Sequence, residues 1–591
     1  MQSPYLAYSL LVKQLKQDKT GFKNIKLAIL ADFASQHYVK AIRAALISSR
    51  IDATIWEADY NSIDSSIISE HSELYQASFD YVVLIPSPHK LIKEFSHSSS
   101  PAGFADLRLR QIQHLLEILA SRTRSRIIFT NYQELDDGVF GNYANKTAQS
   151  FLFQIRKINF GLMQLAIDYS NLYIADAESL YSSQGNALAF DPKLYVHGDL
   201  IYTLDFIAIL AQSTSKIIAA IQGSFKKCVV VDLDNTMWGG IIGDDGIENI
   251  QIGELGIGKA FTGLQNWLLS LKNRGIILAV SSKNTDSVAR EVFEKHPGMT
   301  LRMRDISVFA VNWETKVDNI RFIQSVLNIG FDSMVFLDDN PFERDIVRQN
   351  IADITVPELP EDPAEYLFYL QSLNLFETAS VSTEDAGRTK QYQEEAGRRE
   401  LQKSFVNEDE FLAGLDMKAV IKPVDSFTCP RVAQLTQRSN QFNLRTVRYT
   451  DDDVKKIMVN PDFKTITVSL ADKYGDYGLI SAVFLEKKSA DTIFVDTWIM
   501  SCRVLKRGVE WMVLDEIVHA ALESGFKYID SEYLATAKNG MVRDHYKLLG
   551  FEELDASGKY RLLIENYLPG NNYIEKTGDY VNNKRSIKGS Y

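Results

Sequence analysis

Two runs in the middle of the chain end in closely spaced carboxylates. Val229-Val-Val-Asp232-Leu-Asp234-Asn-Thr236 joins an apolar, strand-like run to two acids one residue apart, and Phe336-Leu-Asp338-Asp339-Asn340-Pro341 ends a second such run in two adjacent acids. Between them, Ala279-Val-Ser-Ser282 closes a third apolar run on hydroxyls, and Lys316 sits within Asn312-Trp-Glu-Thr-Lys-Val-Asp-Asn319. Clustered carboxylates suit a hard divalent cation such as Mg2+, which takes oxygen ligands. Carboxylates, a lysine and hydroxyls together suit phosphoryl transfer. A phosphate ester is anionic, so an acid can attack it only where positive charge offsets the repulsion. Open α/β sheets take their ligands at the carboxyl ends of strands, where these residues fall. Successive residues of a strand point to opposite faces. The chain must therefore leave strand geometry near Leu233 if Asp232 and Asp234 are to serve one site.

One Asp-x-Asp-x-Thr is a weak signal. Four blocks in this order resemble the haloacid dehalogenase (HAD) superfamily of phosphatases. The resemblance implies a Rossmannoid domain in which Asp232 attacks phosphorus and becomes an aspartyl phosphate. Asp234 would protonate the leaving oxygen, then activate water, and would lend the metal its backbone carbonyl. Asp232, Asp338 and Asp339 would complete the Mg2+ shell, with Thr236, Ser282, Lys316 and Asn340 on the substrate. Whether Ser281 or Ser282 meets the phosphoryl oxygens stays open, with the alignment favouring Ser282. The stretches Asn235–Gly246 and Ser281-Ser-Lys-Asn284 resemble the FkbH-like branch of these proteins. That likeness implies removal of phosphate from a donor of the 1,3-bisphosphoglycerate type and loading of a glyceryl unit, through a cysteine thioester, onto the phosphopantetheine arm of an acyl carrier protein.

A second chemistry is written near the C-terminus. Asp496-Thr-Trp-Ile-Met-Ser501-Cys502-Arg503-Val-Leu-Lys506-Arg507-Gly508 follows a strand and opens a helix. It resembles the pyrophosphate loop of GNAT acyltransferases, where backbone N–H groups at a helix start hold phosphate. Arg503 and Gly508 match that pattern, while Lys506 stands where its first glycine would be. Cys502 is the expected acyl carrier, because a neighbouring arginine and a helix start favour thiolate. Tyr546, in Arg543-Asp-His545-Tyr546, matches the position that protonates a thiolate leaving group. Arg503, Lys506 and Arg507 would form the basic patch that an acidic carrier protein needs.

These residues require scaffolding of α/β type. Strands are expected at Lys26–Ala31, Asp80–Ile85, Arg126–Thr130 and Leu172–Ala175, with amphipathic helices between, which predicts an N-terminal α/β domain over residues 1–222. Asp32-Phe33-Ala-Ser35 resembles the first SGNH hydrolase block, but Phe33 replaces its serine, so docking is the expected role; Asp191 and His197 lack the partner spacing, and His197 is expected to be structural. The HAD domain is expected over 223–362, with a hairpin-like Gly239–Gly246, then a charged helical linker at 363–405, an α+β GNAT-like domain at 406–570 and a weakly ordered tail at 571–591.

Composition bounds the partners. Lys plus Arg number 64 against 76 Asp plus Glu, a net charge of −12 over 591 residues. Nucleic acid binding is not expected of such a surface. Three cysteines fit a reducing compartment, hence a cytoplasmic location. No run approaches the roughly 20 apolar residues of a membrane helix, and no signal peptide is read at the start. Two other functions fit the same residues: a stand-alone Mg2+ phosphatase of a small phosphorylated metabolite, and a non-catalytic HAD-fold scaffold.

Overall fold

The computed structural model describes residues 4–381, 407–439, 441–536, 538–555, 557–570 and 572–577, without the side chains of Glu408 and Cys502. The chain divides into two compact units, Met1–Gln222 and Gly223–Tyr591.

The first unit is built on a parallel sheet of β1 (Lys23–Ala31), β2 (Ile51–Glu57), β3 (Tyr81–Ile85), β4 (Arg126–Thr130) and β5 (Leu172–Ala175), in the order β2-β1-β3-β4-β5. The last five residues of β1 and all of β3 are buried, as strands covered by helices on both faces must be. One expectation is corrected here. The helix Leu204–Ile221 is long and apolar enough, by length and composition, to cross a membrane, but most of it is buried inside this unit. Asp191 caps the short helix Pro192–Gly198 through Lys193 N–H, and His197 is exposed rather than a satisfied core residue.

In the second unit β6 (Cys228–Val231), β7 (Ile277–Ser282), β8 (Val308–Val311) and β9 (Met334–Leu337) form a parallel sheet in the order β8-β7-β6-β9. The apolar run Cys228–Val231 is the second strand from one edge of this sheet, and all four of its residues are buried. The expected hairpin at 239–246 is instead a helical turn, Ile242–Asp245, within a loop closed by an antiparallel bridge between Gly239 and Gln251. Residues 382–406, most of the expected helical linker, lie outside the described residues.

The rest of this unit is α+β. An antiparallel run of β10 (Met417–Lys422), β11 (Phe463–Asp472), β12 (Gly475–Lys487) and β13 (Thr492–Met500) is joined in parallel to β14 (Tyr528–Glu532), which pairs with β16 (Lys559–Leu563) of the hairpin β15 (Glu552–Asp555) and β16. Helices Cys429–Arg438 and Asp451–Val459 follow β10, Val509–Glu523 follows β13, and His545–Leu548 follows β14. This is the element order of a GNAT-like domain. β13 and β14 pair only from Thr492 to Phe494 and then part. Part of the expected tail is ordered: β17 (Ile574–Thr577) adds in parallel to β10.

Candidate active site

The sheet order places the ends of β6, β7 and β9 side by side. Asp232 lies one residue past β6 and its N–H donates to Leu337 O of β9 at 2.9 Å, which keeps the two strand ends in register. The chain then turns, as the two acids required: Thr236 and Met237 N–H both donate to Leu233 O, and Asn235 has φ of 53°, the left-handed region that asparagine tolerates.

That turn separates the roles of the two acids. The Asp234 carboxylate is clamped by three donors: Trp238 Nε1 at 2.9 Å and Ile242 N–H at 3.1 Å on Oδ1, and Asn284 Nδ2 at 2.8 Å on Oδ2. Trp238 is fully buried, so Trp238→Ala would cost about 3–5 kcal/mol as well as this clamp. Asn284 also donates to Ser282 Oγ at 3.2 Å, which puts Ser282 on the Asp234 side. Ser281 Oγ is buried with no hydrogen-bond partner among the described residues, while its carbonyl accepts from Lys316. Ser281 and Ser282 therefore both border the site.

Lys316 opens the helix Lys316–Leu327 directly after its cap Thr315, whose Oγ1 accepts from Asp318 N–H. Its Nζ, almost wholly buried, lies 2.5 Å from Asp232 Oδ1, 3.2 Å from Asp338 Oδ2 and 2.8 Å from Ser281 O. Three ammonium protons thus face three acceptors. Burial alone would pull this lysine down, but Asp232 and Asp338 outweigh it and hold the lysine above its ordinary value. Asp338 is fully buried and pushed up, first by burial and then by the charge of Asp232, with Lys316 opposing. Asp339 is raised by the same two causes, opposed by Thr236.

One oxygen from each of Asp232, Asp338 and Asp339 lies within 4.8 Å of the others. With Lys316 beside them, three carboxylates leave two negative charges uncompensated. The donor set is all oxygen. A hard divalent cation fits. The Asp234 carboxylate is not part of this group, so only its backbone carbonyl is left for the metal role expected of it.

Two expected substrate contacts have other partners here. Thr236 is fully buried and its hydroxyl is spent on Asp339, accepting from its N–H at 3.1 Å and donating to Oδ1 at 3.3 Å. It positions a carboxylate. Asn340 is exposed and caps the helix Pro341–Asn350 through Phe342 N–H at 3.0 Å, with Pro341 at the first helical position. Three positioning residues had no role assigned from sequence. Trp238 and Asn284 lay inside the quoted runs. Arg344, buried on the helix after Asn340, donates Nη1 to Asp338 O at 2.9 Å and Asp339 O at 2.6 Å.

The C-terminal residues are less concentrated. Cys502 stands in the turn Cys502–Val504 after β13, and its side chain lies outside the described residues. Lys506 has φ of 61° and Gly508 of 79°, so Lys506 adopts the left-handed conformation that a glycine would take there without strain. The expected basic patch is not assembled. Arg507 is buried against Tyr477 and Asp472, and Arg503 donates to Ser501 Oγ and Tyr477 O, which leaves Lys506 exposed. Tyr546 is also corrected. It is fully buried, its ring packed against Trp498, His545, Phe551 and Tyr560, and burial raises its hydroxyl. Burial pulls the neighbouring His545 down to about 3, so that imidazole is neutral.

Residues 26–219 match the family described as FkbH, N-terminal domain. The crystal structure of the N-terminal part of the protein BF1531 from Bacteroides fragilis, containing a phosphatase domain and complexed with Mg, is 47% identical with a TM-score of 0.61; the match covers 64% of this chain and 100% of that one. The ribosomal-protein-S18-alanine N-acetyltransferase of Escherichia coli is 13% identical, with 26% of this chain and 97% of that chain covered and a TM-score of 0.20. The GNAT domain of S. lividans PAT is 16% identical, with 24% and 89% covered and the same TM-score. Those two likenesses are too slight to support an activity. No curated protein matches the sequence.

Proposed function

The chain belongs to the FkbH-like proteins of the HAD superfamily, and from that premise we propose that it removes phosphate from a phosphoglyceryl-type acyl donor and passes the glyceryl unit to an acyl carrier protein. The observation that carries the phosphoryl half is the buried group of Asp232, Asp338 and Asp339 around Lys316. Mg2+ is the cofactor; those three carboxylates and the Asp234 carbonyl would hold it, and it would supply the charge that lets an anionic nucleophile approach phosphate.

In this reading a carboxylate oxygen of Asp232 attacks phosphorus and the bond to the leaving oxygen breaks. That oxygen takes a proton from Asp234. Among the described residues Asp234 Oδ2 accepts from Asn284 alone, which leaves it a lone pair for that proton. Asp234 then takes a proton from water as the water attacks the aspartyl phosphate, releasing phosphate and restoring Asp232. Lys316 offsets the charge that develops on the phosphoryl oxygens.

The acyl half rests on Cys502 in the turn where β13 and β14 have parted. The thiolate would attack the carbonyl of the donor's acyl phosphate and expel that phosphate to give a thioester, leaving the ester phosphate to Asp232, and the carrier's phosphopantetheine thiol would then take the glyceryl group and release Cys502. The same reading places the protein in the cytoplasm, without nucleic acid or membrane as partner. Incubation with a carrier protein, 1,3-bisphosphoglycerate and Mg2+, followed by mass measurement of the carrier, tests it. Wild type yields a glyceryl adduct, and Cys502→Ser yields none while still releasing phosphate. Phosphate release without an adduct in wild type would leave a stand-alone phosphatase.

A further inference from the structure

Resting on the function read above, we propose that the ester phosphate carried on Cys502 of one chain is removed at the Asp232 site of a second copy. Strands β6 and β9 are parallel, in register from Cys228 and Met334 to Val231 and Leu337. One edge of their sheet therefore holds the residues that lead into them, and the other holds the residues that lead out. Asp232, Asp338 and Asp339 lead out. The α+β part of this unit, which carries Cys502, touches the residues that lead in. Lys538, between β14 and the turn Gly540–Val542, places Nζ 2.5 Å from Asp332 Oδ2, two residues before β9. Lys226 donates Nζ to Asp332 O at 2.7 Å. Burial would raise Asp332, but Lys538, Lys227 and Lys226 outweigh it and hold the carboxyl below its ordinary value. Arg438, at the end of the helix Cys429–Arg438, lies 5.5 Å over the ring of Phe225, three residues before β6, and donates to Ser380 O.

The Cys502 turn is tied to the same contact. Asn539, next to Lys538, is fully buried and donates Nδ2 to Asn443 O at 3.1 Å. Asn443 bridges to Ile499 of β13, and Met500 N–H donates to Phe442 O at 3.2 Å. Cys502 follows two residues later. The backbone that bears the thiol is thus held to the segment that touches the amino edge of the sheet, while the three carboxylates stand beyond its carboxyl edge.

A closed layer separates the two. Cys228–Val231 and Met334–Leu337 are buried throughout. Val229 and Val231 pack with Phe261 and Leu264 of the helix Gly258–Asn273, and Cys228 and Val230 pack with Ile320 and Ile323 of the helix Lys316–Leu327, so both faces of β6 are covered. At about 3.3 Å per residue, the chain runs roughly 13 Å from Met334 to Asp338. The few bonds from sulfur to phosphorus in a phosphoglyceryl thioester span roughly 8 Å. A phosphate held on Cys502 is therefore kept from Asp232 of its own chain. The rim of the carboxyl edge is uncovered, as a protein-borne substrate requires: Trp313, three residues before Lys316, and Phe342, three past Asp339, are 75% and 67% exposed.

In this step a carboxylate oxygen of the second copy's Asp232 bonds phosphorus as the bond from phosphorus to the glyceryl oxygen breaks. That oxygen takes a proton from the second copy's Asp234, and water then releases phosphate from the aspartyl phosphate. The thioester to Cys502 stays intact until the carrier thiol attacks it.

Complementation between two full-length variants tests this. Asp232→Asn is treated with 1,3-bisphosphoglycerate and freed of excess donor, and a phosphoglyceryl adduct is expected in its mass. No adduct would overturn the acyl reading and this proposal with it. Cys502→Ser is then added with Mg2+. The adduct should lose its phosphate at a rate that rises about tenfold when Cys502→Ser is raised tenfold, and at least a hundredfold more slowly when none is added. An adduct that keeps its phosphate would overturn the proposal and leave the acyl reading standing. Wild type loaded without metal and then given Mg2+ should lose its phosphate about tenfold more slowly on tenfold dilution. A rate that dilution leaves unchanged would place the step within one chain and overturn the proposal.

Discussion

Asp32 and Asp232 occupy the same kind of position in two different sheets. Each stands one residue past a buried parallel strand, β1 or β6, and each is almost closed to solvent. What differs is the neighbouring strand end. Beside Asp232, β9 delivers Asp338 and Asp339, and Asp232 and Asp338 share the buried Lys316. Beside Asp32, β3 delivers Pro86 and Ser87, and a single carboxylate meets one backbone N–H with Lys90 and Arg108 further off. One buried acid can hold its proton; three within a few ångströms cannot all be ionised cheaply and need a cation to be so. A strand end thus offers a place for chemistry, and the charge on the adjacent strand end decides which chemistry.

The sharpest test of that contrast exchanges one atom at each position. Asp232→Asn should lower Mg2+-dependent phosphate release by about a thousandfold or more, as loss of a nucleophile does. Asp32→Asn should leave it within about twofold, because no step there needs Asp32. Comparable losses in steady-state assays of the two variants would erase the distinction.

A second test reads the proton on Asp32. Burial pushes its carboxyl from 3.8 to about 6, against Lys90, the Ser87 N–H and Arg108. Between those values the folded protein keeps a proton that the unfolded chain releases. The contribution is therefore fully present below pH about 3.8 and lost as pH rises to about 6, on the order of 3 kcal/mol in all. The difference in unfolding free energy between wild type and Asp32→Asn, followed by denaturant titration across that window, should show this downward slope. A flat difference would mean that Asp32 titrates alike in the folded and unfolded states.

The smallest effect belongs to the support of the metal group. Thr236→Val keeps the shape but removes the hydroxyl that pairs twice with Asp339. The apparent affinity for Mg2+, read from the metal dependence of phosphate release or of the melting temperature, should weaken by about tenfold. Unchanged affinity would show that Asp339 needs no such positioning.

The legible parts were those carried by local periodicity and by residue type at a strand end. Apolar runs of four to six residues followed by acids or hydroxyls marked β6, β7 and β9. The family resemblance implies substrate contacts for Asn340 and Thr236. A residue's competing local duty, capping a helix or bonding a neighbouring carboxylate, is visible only once the turn around it is formed. The GNAT-like loop shows the same limit. Arg507 looked like a surface cation, but the hairpin at Tyr474–Gly478 folds over it and pairs it with Tyr477 and Asp472.

By itself the sequence determined the kind of reaction available here: an aspartate nucleophile and an oxygen-rich metal group, tied to the ends of recognisable strands, and a lysine in a run of its own. Tertiary structure alone decided which acids meet. Asp339 lies 103 positions from Thr236, and the two bond only because β9 pairs directly with β6. It also decided that Tyr546 is core and that Lys316 is buried yet charged. The physical reason is that burial and charge at a side chain are summed over neighbours in space, and a chain that crosses over between parallel strands draws those neighbours from far along its length.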